Sequence, residues 1–305
     1  MQIKTGKVPD DPGEKVYPRN GERRRTLRIR RSGLKNYRLR DLDRPSVKFA
    51  ENREELAQAF SLVYQVYLQK GFVPETKHHE MLYSIYSLLP QTIHVIAKSY
   101  LTVISNLTII FDTPEFGLPM DAIYKKELDE LRRQGHCLVE LSALATPREH
   151  RWKNIFLYLV QTMYRYSRYR GVDDVCIAVN PRHKRYYRGL FPFKKLGPER
   201  HYPRVDAPAI GLRGKMEDKA ARKQMEEICR RMEFDTPFDS YFYFMTGQPP
   251  GTDINSREKG CPTRPAILTA QQVRHFIETD PGIVADITPE QKKVLNFWYP
   301  GLNLE

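Results

Sequence analysis

Apolar residues recur along the chain at helical and strand periods, and the two periods alternate between residues 46 and 212. Helical spacing begins after the N-cap residue Asn52 and continues for about 18 residues. Two further amphipathic patterns span Met120 to Arg133 and Asn154 to Arg170. Runs of apolar and β-branched residues predict strands at 46–50, 92–98, 101–111, 137–146, 175–179 and 205–212. This order predicts an α/β fold, a mixed central sheet with helices on both faces.

Three stretches depart from this alternation. Between residues 72 and 90 the pattern is irregular, and only 81–89 has helical spacing. The stretch 191–197 is expected to end a short helix that precedes the last strand. We expect 45–213 to form the core domain, and 214–305 to be a mainly helical C-terminal extension that covers this core.

A single carboxylate interrupts the apolar run from His136 to Pro147, which otherwise has the pattern of a buried strand. Burial increases the proton affinity of a carboxylate, so Glu140 is a candidate general base near neutral pH. A structural, salt-bridged acid is the alternative. Ser142 lies on the same strand face but outside any Gly-x-Ser-x-Gly motif, so we expect a positioning hydroxyl rather than a nucleophile.

A basic turn follows this strand and precedes a predicted helix. Its cations are Arg148, Arg151 and Lys153. Backbone N–H groups and the dipole at a helix N-terminus favour an anion, so the turn is a candidate phosphate site, with a solvated basic loop as the alternative. Neither a Gly-rich phosphate loop nor a Rossmann fingerprint follows any of the strands.

Two further candidate side chains come after the strand at 175–179. His183 and Tyr187 are four residues apart, and they therefore share one face of a helix. Either side chain could donate a proton to a leaving group. Packing into the core is the alternative for Tyr187, because tyrosine is abundant in this chain.

Charge is concentrated at the N-terminus. The 305-residue chain has a formal net charge of +13, and residues 1–44 contain 14 Lys or Arg against 6 Asp or Glu. A basic segment without periodicity is typical of a flexible, solvated arm. Any partner of this arm would be acidic: an anionic membrane surface, an acidic protein or, as the least expected of the three, nucleic acid.

Several classes of site are disfavoured. The four cysteines lie far apart without zinc-finger spacing, and the cluster His78-His79-Glu80 has no evident third ligand, so neither a metal site nor a disulfide framework is predicted. No window approaches the roughly 20 apolar residues of a membrane helix, and no signal-peptide core is present. The expected location is the cytoplasm.

Several motifs together resemble the GNAT acyltransferases over residues 46–213. Glu140-Leu141-Ser142 is similar to the Glu-Leu-Ser strand of acyl-homoserine lactone synthases, although Ala143 stands where those enzymes have arginine. The ensemble most resembles the N-acyl amino acid synthases of the FeeM type. The motifs that carry this resemblance are Asp112-Thr113-Pro114, Gly117-Leu118-Pro119, Glu127 to Arg132, Val139 to Ala145, Asn180 to His183 with Tyr187, and Ala207-Pro208-Ala209.

The resemblance implies an enzyme that moves a long-chain acyl group from acyl carrier protein to the amine of an amino acid, without an acyl-enzyme. The reaction would occur in the cleft between the strands 137–146 and 175–180. We expect no tightly bound cofactor, because the acyl-phosphopantetheine of the carrier, or acyl-CoA, is itself the donor substrate. The absence of glycine between Thr146 and Ile155 favours the carrier over coenzyme A.

The expected site residues fall into four groups. The residues expected to be catalytic are Glu140, Ser142 and Tyr187. Those expected to line the acyl chain are Leu138, Leu141, Leu144 and Phe156. Those expected to bind the carrier phosphate are Arg148, Arg151 and Lys153. Those expected to bind the acceptor are Asp112, Asn180, Arg182 and His183. Two alternatives stay open: a non-catalytic protein that binds nucleic acid or a membrane surface through the arm, and a GNAT acyltransferase for another amine.

Overall fold

A computed structural model describes residues 45–75, 80–153, 155–216, 219–231, 238–247 and 268–304. The basic arm at 1–44 and the pair His78-His79 lie outside these residues. Seven described strands form one sheet: β1 Ser46–Phe49, β2 Ile93–Ser99, β3 Thr102–Phe111, β4 Leu138–Ala145, β5 Asp174–Val179, β6 Lys194–Tyr202 and β7 Ala207–Lys215. The strand order is β1-β2-β3-β4-β5-β7-β6. Only β4 and β5 are parallel neighbours.

Helices cover both faces of this sheet. In the described residues they are α1 Arg53–Gln69, α2 Asp121–Arg133, α3 Ile155–Tyr169, α4 Lys184–Leu190, α5 Lys219–Arg231, α6 Phe238–Thr246, α7 Ala270–Thr279 and α8 Pro289–Trp298. Buried side chains of α3 pack on one face, and those of α1 and α2 pack on the other. The predicted mixed α/β sheet with helices on both faces is therefore confirmed.

Local sequence signals explain where several helices begin. Asn52 caps α1, since its Oδ1 accepts a hydrogen bond from the backbone N–H of Glu55 at 2.9 Å. Thr269 and Thr288 form capping boxes with Gln272 and Gln291 at the starts of α7 and α8. These side-chain bonds satisfy backbone N–H groups that would otherwise lack partners at a helix start.

One prediction from the sequence is wrong, and one strand is missed. The stretch Met81–Leu89 contains only a single 3-10 turn, Ile85–Leu88. The carbonyl of Tyr86 accepts a hydrogen bond of 2.6 Å from the hydroxyl of Thr92 rather than from a backbone N–H of a continuing helix. Strand β6 was not predicted, because Lys194–Tyr202 contains glycine, proline and four charges. Such a sequence is tolerated because β6 is an edge strand, and its register shifts between Lys195 and Glu199 where Gly197 and Pro198 lie.

The helices after residue 215 pack on both sides of the sheet. On the α3 side, the guanidinium of Arg165 donates to the carbonyl of Phe244 in α6 at 2.9 Å. On the α1 side, Phe276 of α7 lies edge-to-face against Phe60, with ring centroids 5.2 Å apart. Within the part of the chain that the structure describes, no helix has both the length and the apolar character needed to cross a membrane.

Candidate functional site

Strands β4 and β5 separate in the middle of the sheet. They pair from Leu138 with Asp174 to Glu140 with Cys176, and no pairing continues beyond that point. Strand β4 nevertheless extends to Ala145 and β5 to Val179. At about 3.3 Å per residue, the separated segments leave a gap more than about 10 Å long. We call this gap the β4–β5 cleft.

A β-bulge shapes the β4 side of the cleft. Thr108 pairs with Ser142 and Asn106 pairs with Ala145, so Ala143 and Leu144 together oppose a single residue of β3. Ala143 has a φ of 50°, in the left-handed region that side chains other than glycine seldom adopt. A strained backbone at this position is consistent with a functional site.

Backbone polar groups of β4 point into the cleft. The carbonyl of Cys137 accepts hydrogen bonds from the N–H groups of Asp173 and Asp174, whereas that of Leu138 accepts from Asp112 on the other side. Since backbone groups alternate sides along a strand, the N–H and C=O of Leu141 are directed towards β5. Pairing has ended before Leu141, so its N–H is placed to bind an oxygen in the cleft.

Glu140 is buried, with 3% of its surface exposed. Its Oε2 accepts a hydrogen bond of 2.8 Å from the backbone N–H of Met120, which precedes α2. The carboxylate therefore stabilises a helix N-terminus, and this is a structural role. Burial and then the charges of Asp174 and Glu140 raise the pKa of the Cys176 thiol well above its usual range. Cys176 is therefore a neutral core residue.

A chain of buried polar side chains lies beneath α1 on the Glu140 face of the sheet. Its members, which we call the polar row, are His94, Thr108 and Asn106. His94 Nε2 lies 2.8 Å from the carbonyl of Ser87, and Asn106 Nδ2 donates to the carbonyl of Ala143 at 2.9 Å. Burial lowers the pKa of His94 to about 4. The polar row thus ties the bulge of β4 to the core.

The expected acyl-chain residues do not share one face of β4. Leu141, Leu144 and Phe156 are half-buried and pack against the α3-side core. Leu138 points to the opposite face, where it is 1% exposed and packs in the α2-side core. Including Leu138 in the same wall is therefore wrong, because side chains alternate along a strand and 138 and 141 differ by an odd number.

Aromatic side chains surround the open end of the cleft. We call this set the aromatic rim, and its members are Tyr67, Phe72, Phe156, Tyr186, Tyr187 and Phe191. Burial, and then the neighbouring Tyr67 and Tyr186, raise the pKa of Tyr187 far above its usual range. The Tyr187 hydroxyl therefore stays protonated and available as a hydrogen-bond donor at neutral pH.

The basic turn forms a 3-10 helix, Arg148–Lys153, immediately before α3 begins at Ile155. Arg148 is exposed, whereas the side chains of Arg151 and Lys153 lie outside the described part of the chain. The half-buried His150 has no hydrogen-bond partner for Nδ1 among the described residues. The turn thus lies between the end of β4 and the N-terminus of α3, and phosphate binding there stays a prediction.

The four expected acceptor residues lie at two different ends of the site. Asn180, Arg182 and His183 follow β5 at the open end, where Asn180 Oδ1 accepts from the N–H of Arg182 at 3.2 Å. Asp112 lies at the closed end and forms a two-point ion pair with Arg132, with both distances 2.8 Å. This carboxylate is already paired and lies about 13 Å along β4 from Ser142, so we do not include Asp112 in the acceptor site proposed below.

A sequence profile described as "N-acyl amino acid synthase FeeM" matches residues 58–215, just over half of the chain. The chain belongs to the FeeM family. Membership of this family identifies the protein as an N-acyltransferase. No curated protein sequence matches the chain significantly.

Of three similar solved structures, that of FeeM supports the same fold for this FeeM-family chain. FeeM from uncultured soil microbes is 24% identical, with a TM-score of 0.53, and the match covers 61% of this chain and 97% of that one. The acyl-homoserine lactone synthase LasI is 16% identical, with a TM-score of 0.47 and coverages of 61% and 96%. The CoA-dependent synthase BjaI is 15% identical, with a TM-score of 0.44 and coverages of 63% and 90%.

The sequence does not predict the polar row or the rim residues Tyr67 and Phe72 of this FeeM-family protein. The signal for Asn106 was nevertheless present, since it is an amide inside the apolar run of β3, just as Glu140 is a carboxylate inside that of β4. The rim residues carry no such signal, because aromatic residues at the end of a helix usually pack into a core.

Proposed function

We propose that this N-acyltransferase moves a long acyl chain from the phosphopantetheine of acyl carrier protein to the α-amine of an amino acid. The observation that carries the proposal is the β4–β5 cleft, where the N–H of Leu141 faces a gap between separated strands. A thioester carbonyl in this gap would receive a hydrogen bond as its oxygen becomes negative during attack.

The donor side of the proposal rests on the α3 face of the sheet. Leu141, Leu144 and Phe156 are half-buried there and would line the acyl chain. Arg148, Arg151 and Lys153 would bind the phosphate at the start of α3. A carrier offers a single phosphate and an acidic surface, which suits a basic turn without glycine, and acyl-CoA is the alternative donor.

The acceptor would approach from the opposite face, where Glu140 and Ser142 lie. Neutral amine attacks the thioester carbonyl, the C–N bond forms, and the C–S bond breaks as the thiolate leaves. One amine proton passes through water to Glu140 and is later released to solvent, while the hydroxyl of Tyr187 donates a hydrogen bond to the departing sulfur. Because the α-amine has a reference pKa of about 8, a weak base is sufficient.

The carboxylate of the amino acid would bind at the open end of the cleft. Arg182 is exposed there, and its guanidinium stacks on Phe72 of the aromatic rim at 5.7 Å from the ring centroid. Asn180 and His183 adjoin it on the same turn. An arginine held on an aromatic face retains its donors for a planar carboxylate, which supports an amino acid rather than a simple amine.

Acyl transfer itself tests the proposal. The full chain is incubated with acyl carrier thioesters of several chain lengths and a pool of amino acids and simple amines, and products are identified by mass spectrometry. We expect N-acyl amino acids from long-chain carrier thioesters. Product with simple amines alone, or only with acyl-CoA, would reject the acceptor or donor respectively, and no product with any amine would reject the proposed function.

A further inference from the structure

Hydrogen-bond directions along the polar row follow from the carbonyl of Ser87, which lies at its His94 end. The carbonyl of Ser87 can only accept, so His94 carries its proton on Nε2. Because burial lowers the pKa of His94 to about 4, the ring is neutral at pH 7 and its Nδ1 is an acceptor. The hydroxyl of Thr108 lies 3.1 Å from Nδ1 and therefore donates to it.

The direction of the row fixes the amide of Asn106. Thr108 uses its only hydrogen on His94, so its oxygen accepts from Asn106 Nδ2 at 3.3 Å. The second Nδ2 hydrogen goes to the carbonyl of Ala143 at 2.9 Å. Asn106 Oδ1 is then left as an acceptor, and it has no hydrogen-bond partner among the described residues.

This acceptor is fully buried, because Asn106 has 0% of its surface exposed. Leaving a buried acceptor unpaired costs more free energy than an ordinary hydrogen bond contributes, so such atoms usually have a partner in the working state. Turning the amide over would not remove this cost, since Ala143 and Thr108 would both lose their donor. The bond to the Ala143 carbonyl is sufficient to set this orientation, because a turned amide would place two acceptor oxygens against each other.

Oδ1 lies close to the β-bulge that borders the β4–β5 cleft. The two polar atoms of an amide are about 2.2 Å apart, so Oδ1 lies within about 5 Å of the Ala143 carbonyl, at the strained bulge. Ser142 and Ala143 are half-buried rather than closed into the core. Asn106 therefore lies beside the bulge, on the sheet face shared with Glu140, which is the face on which we propose that the acceptor binds.

We infer that Asn106 Oδ1 accepts a hydrogen bond from the nucleophilic amine, and that the enzyme therefore selects primary over N-methylated acceptors. The inference rests on the proposed function. A neutral primary amine has two N–H bonds: one proton leaves towards Glu140 as the amide forms, and the other stays on nitrogen and pairs with Oδ1. An N-methyl amine has a single N–H, which the reaction removes, so Oδ1 would face a methyl group.

The test compares kcat/KM for L-tyrosine and N-methyl-L-tyrosine in the wild type and in Asn106→Leu. We expect the ratio of kcat/KM for tyrosine to that for N-methyl-tyrosine to be about tenfold to a hundredfold higher in the wild type than in Asn106→Leu. Only the wild type has an acceptor for the second N–H of the amine. Distortion of the bulge would lower both rates together and leave their ratio unchanged. An unchanged ratio in folded Asn106→Leu would therefore overturn the inference and leave Asn106 as a structural residue.

Thr108→Val is the matched control, because it breaks the polar row but retains Asn106 Oδ1 and the hydrogen bond from Asn106 Nδ2 to the Ala143 carbonyl. We expect this variant to keep the wild-type substrate ratio. A loss of the ratio equal to that of Asn106→Leu would assign the selectivity to the packing of the row and overturn the inference.

Binding without transfer keeps the inference separate from the proposed function. The side-chain amide resonances of Asn106 are followed by nuclear magnetic resonance while each tyrosine is added to the full chain. A shift with tyrosine but not with its N-methyl form supports the inference even if no acyl group is transferred. Identical responses to both compounds, including no response, would overturn it.

Discussion

The two ends of the β4–β5 pair differ in how their polar groups are satisfied. At the closed end, the fully buried Asp174 receives Arg213 Nε and Nη2 at 2.7 and 2.9 Å and also contacts His136. At the open end, Asn106 Oδ1 has no partner among the described residues, and Ala143 has a strained backbone. The closed end therefore stabilises the sheet, while the open end retains an unsatisfied acceptor that we propose for a substrate.

The largest expected effect is that of Glu140→Gln on catalysis at the open end. Loss of the proposed base should lower kcat/KM by about 10²- to 10⁴-fold, with a change in the acidic limb of the pH-rate profile. The Gln oxygen can still accept from the N–H of Met120, so the fold should persist. A modest loss of stability with an unchanged pH-rate profile would leave Glu140 only its role at the start of α2.

Arg132→Met should have the next largest effect, on stability at the closed end. Arg132 pairs with Asp112 at 2.8 Å and with Asp121 at 2.6 Å, and the variant leaves both half-buried carboxylates without their cation. We expect a loss of about 2–3 kcal/mol in the free energy of unfolding, measured by urea denaturation.

Arg133→Met is the control for this change, because Arg133 lies next in sequence but pairs with Glu130 on the surface. It should cost less than about 0.5 kcal/mol. Equal losses in the two variants would show that the closed end is not specially stabilised.

His94 should make stability depend on pH. Its pKa is about 4 in the folded protein and about 6.5 when exposed. Below pH 6.5 His94 becomes protonated in the unfolded chain but stays neutral in the folded protein, so the free energy of unfolding falls as the pH decreases towards 4. The slope from His94 approaches about 1.4 kcal/mol per pH unit. We expect a shallower slope in His94→Gln by denaturation between pH 7 and 4, whereas His201→Gln, on the exposed edge strand, should retain the full slope.

Tyr187→Phe should have the smallest of these effects. The variant keeps the ring in the aromatic rim and removes only the hydroxyl, so kcat should fall about tenfold with little change in stability. Because the raised pKa keeps this hydroxyl protonated, the wild type should show no loss of activity from Tyr187 ionisation up to pH 10. A wild-type rate for Tyr187→Phe, equal to that of the control Tyr169→Phe, would contradict its proposed contact with the thiolate.

The same comparison shows why sequence predicts some features and misses others. Glu140 is visible because a carboxylate inside an apolar strand conflicts with the local pattern. The pairing of Asp112 with Arg132 is invisible, because it joins residues 20 positions apart through the packing of α2. The bulge at Ala143 is equally hidden, since alanine carries no signal for a positive φ.

The edge strand β6 marks a different limit. Its residues lack strand character because one side of the strand meets solvent and the other is paired by β7, which supplies the regular pattern. Edge position is a property of the assembled sheet, so it cannot be predicted from the local sequence of Lys194–Tyr202.

The hydroxyls of Tyr83 and Tyr299 join the C-terminal helices to the segment 83–88 that precedes β2. The Tyr83 hydroxyl donates to the carbonyl of Phe276 at 2.8 Å, and that of Tyr299 donates to the carbonyl of Leu88 at 2.6 Å. Leu88 adjoins Ser87, whose carbonyl orients His94 and with it the whole polar row. The region shared with the family ends at residue 215. Residues of the C-terminal extension nevertheless form hydrogen bonds with the segment 83–88, which includes Ser87. We therefore expect a version trimmed at residue 215 to keep the sheet but to lose the hydrogen bonds that Phe276 and Tyr299 form with the segment contacting His94.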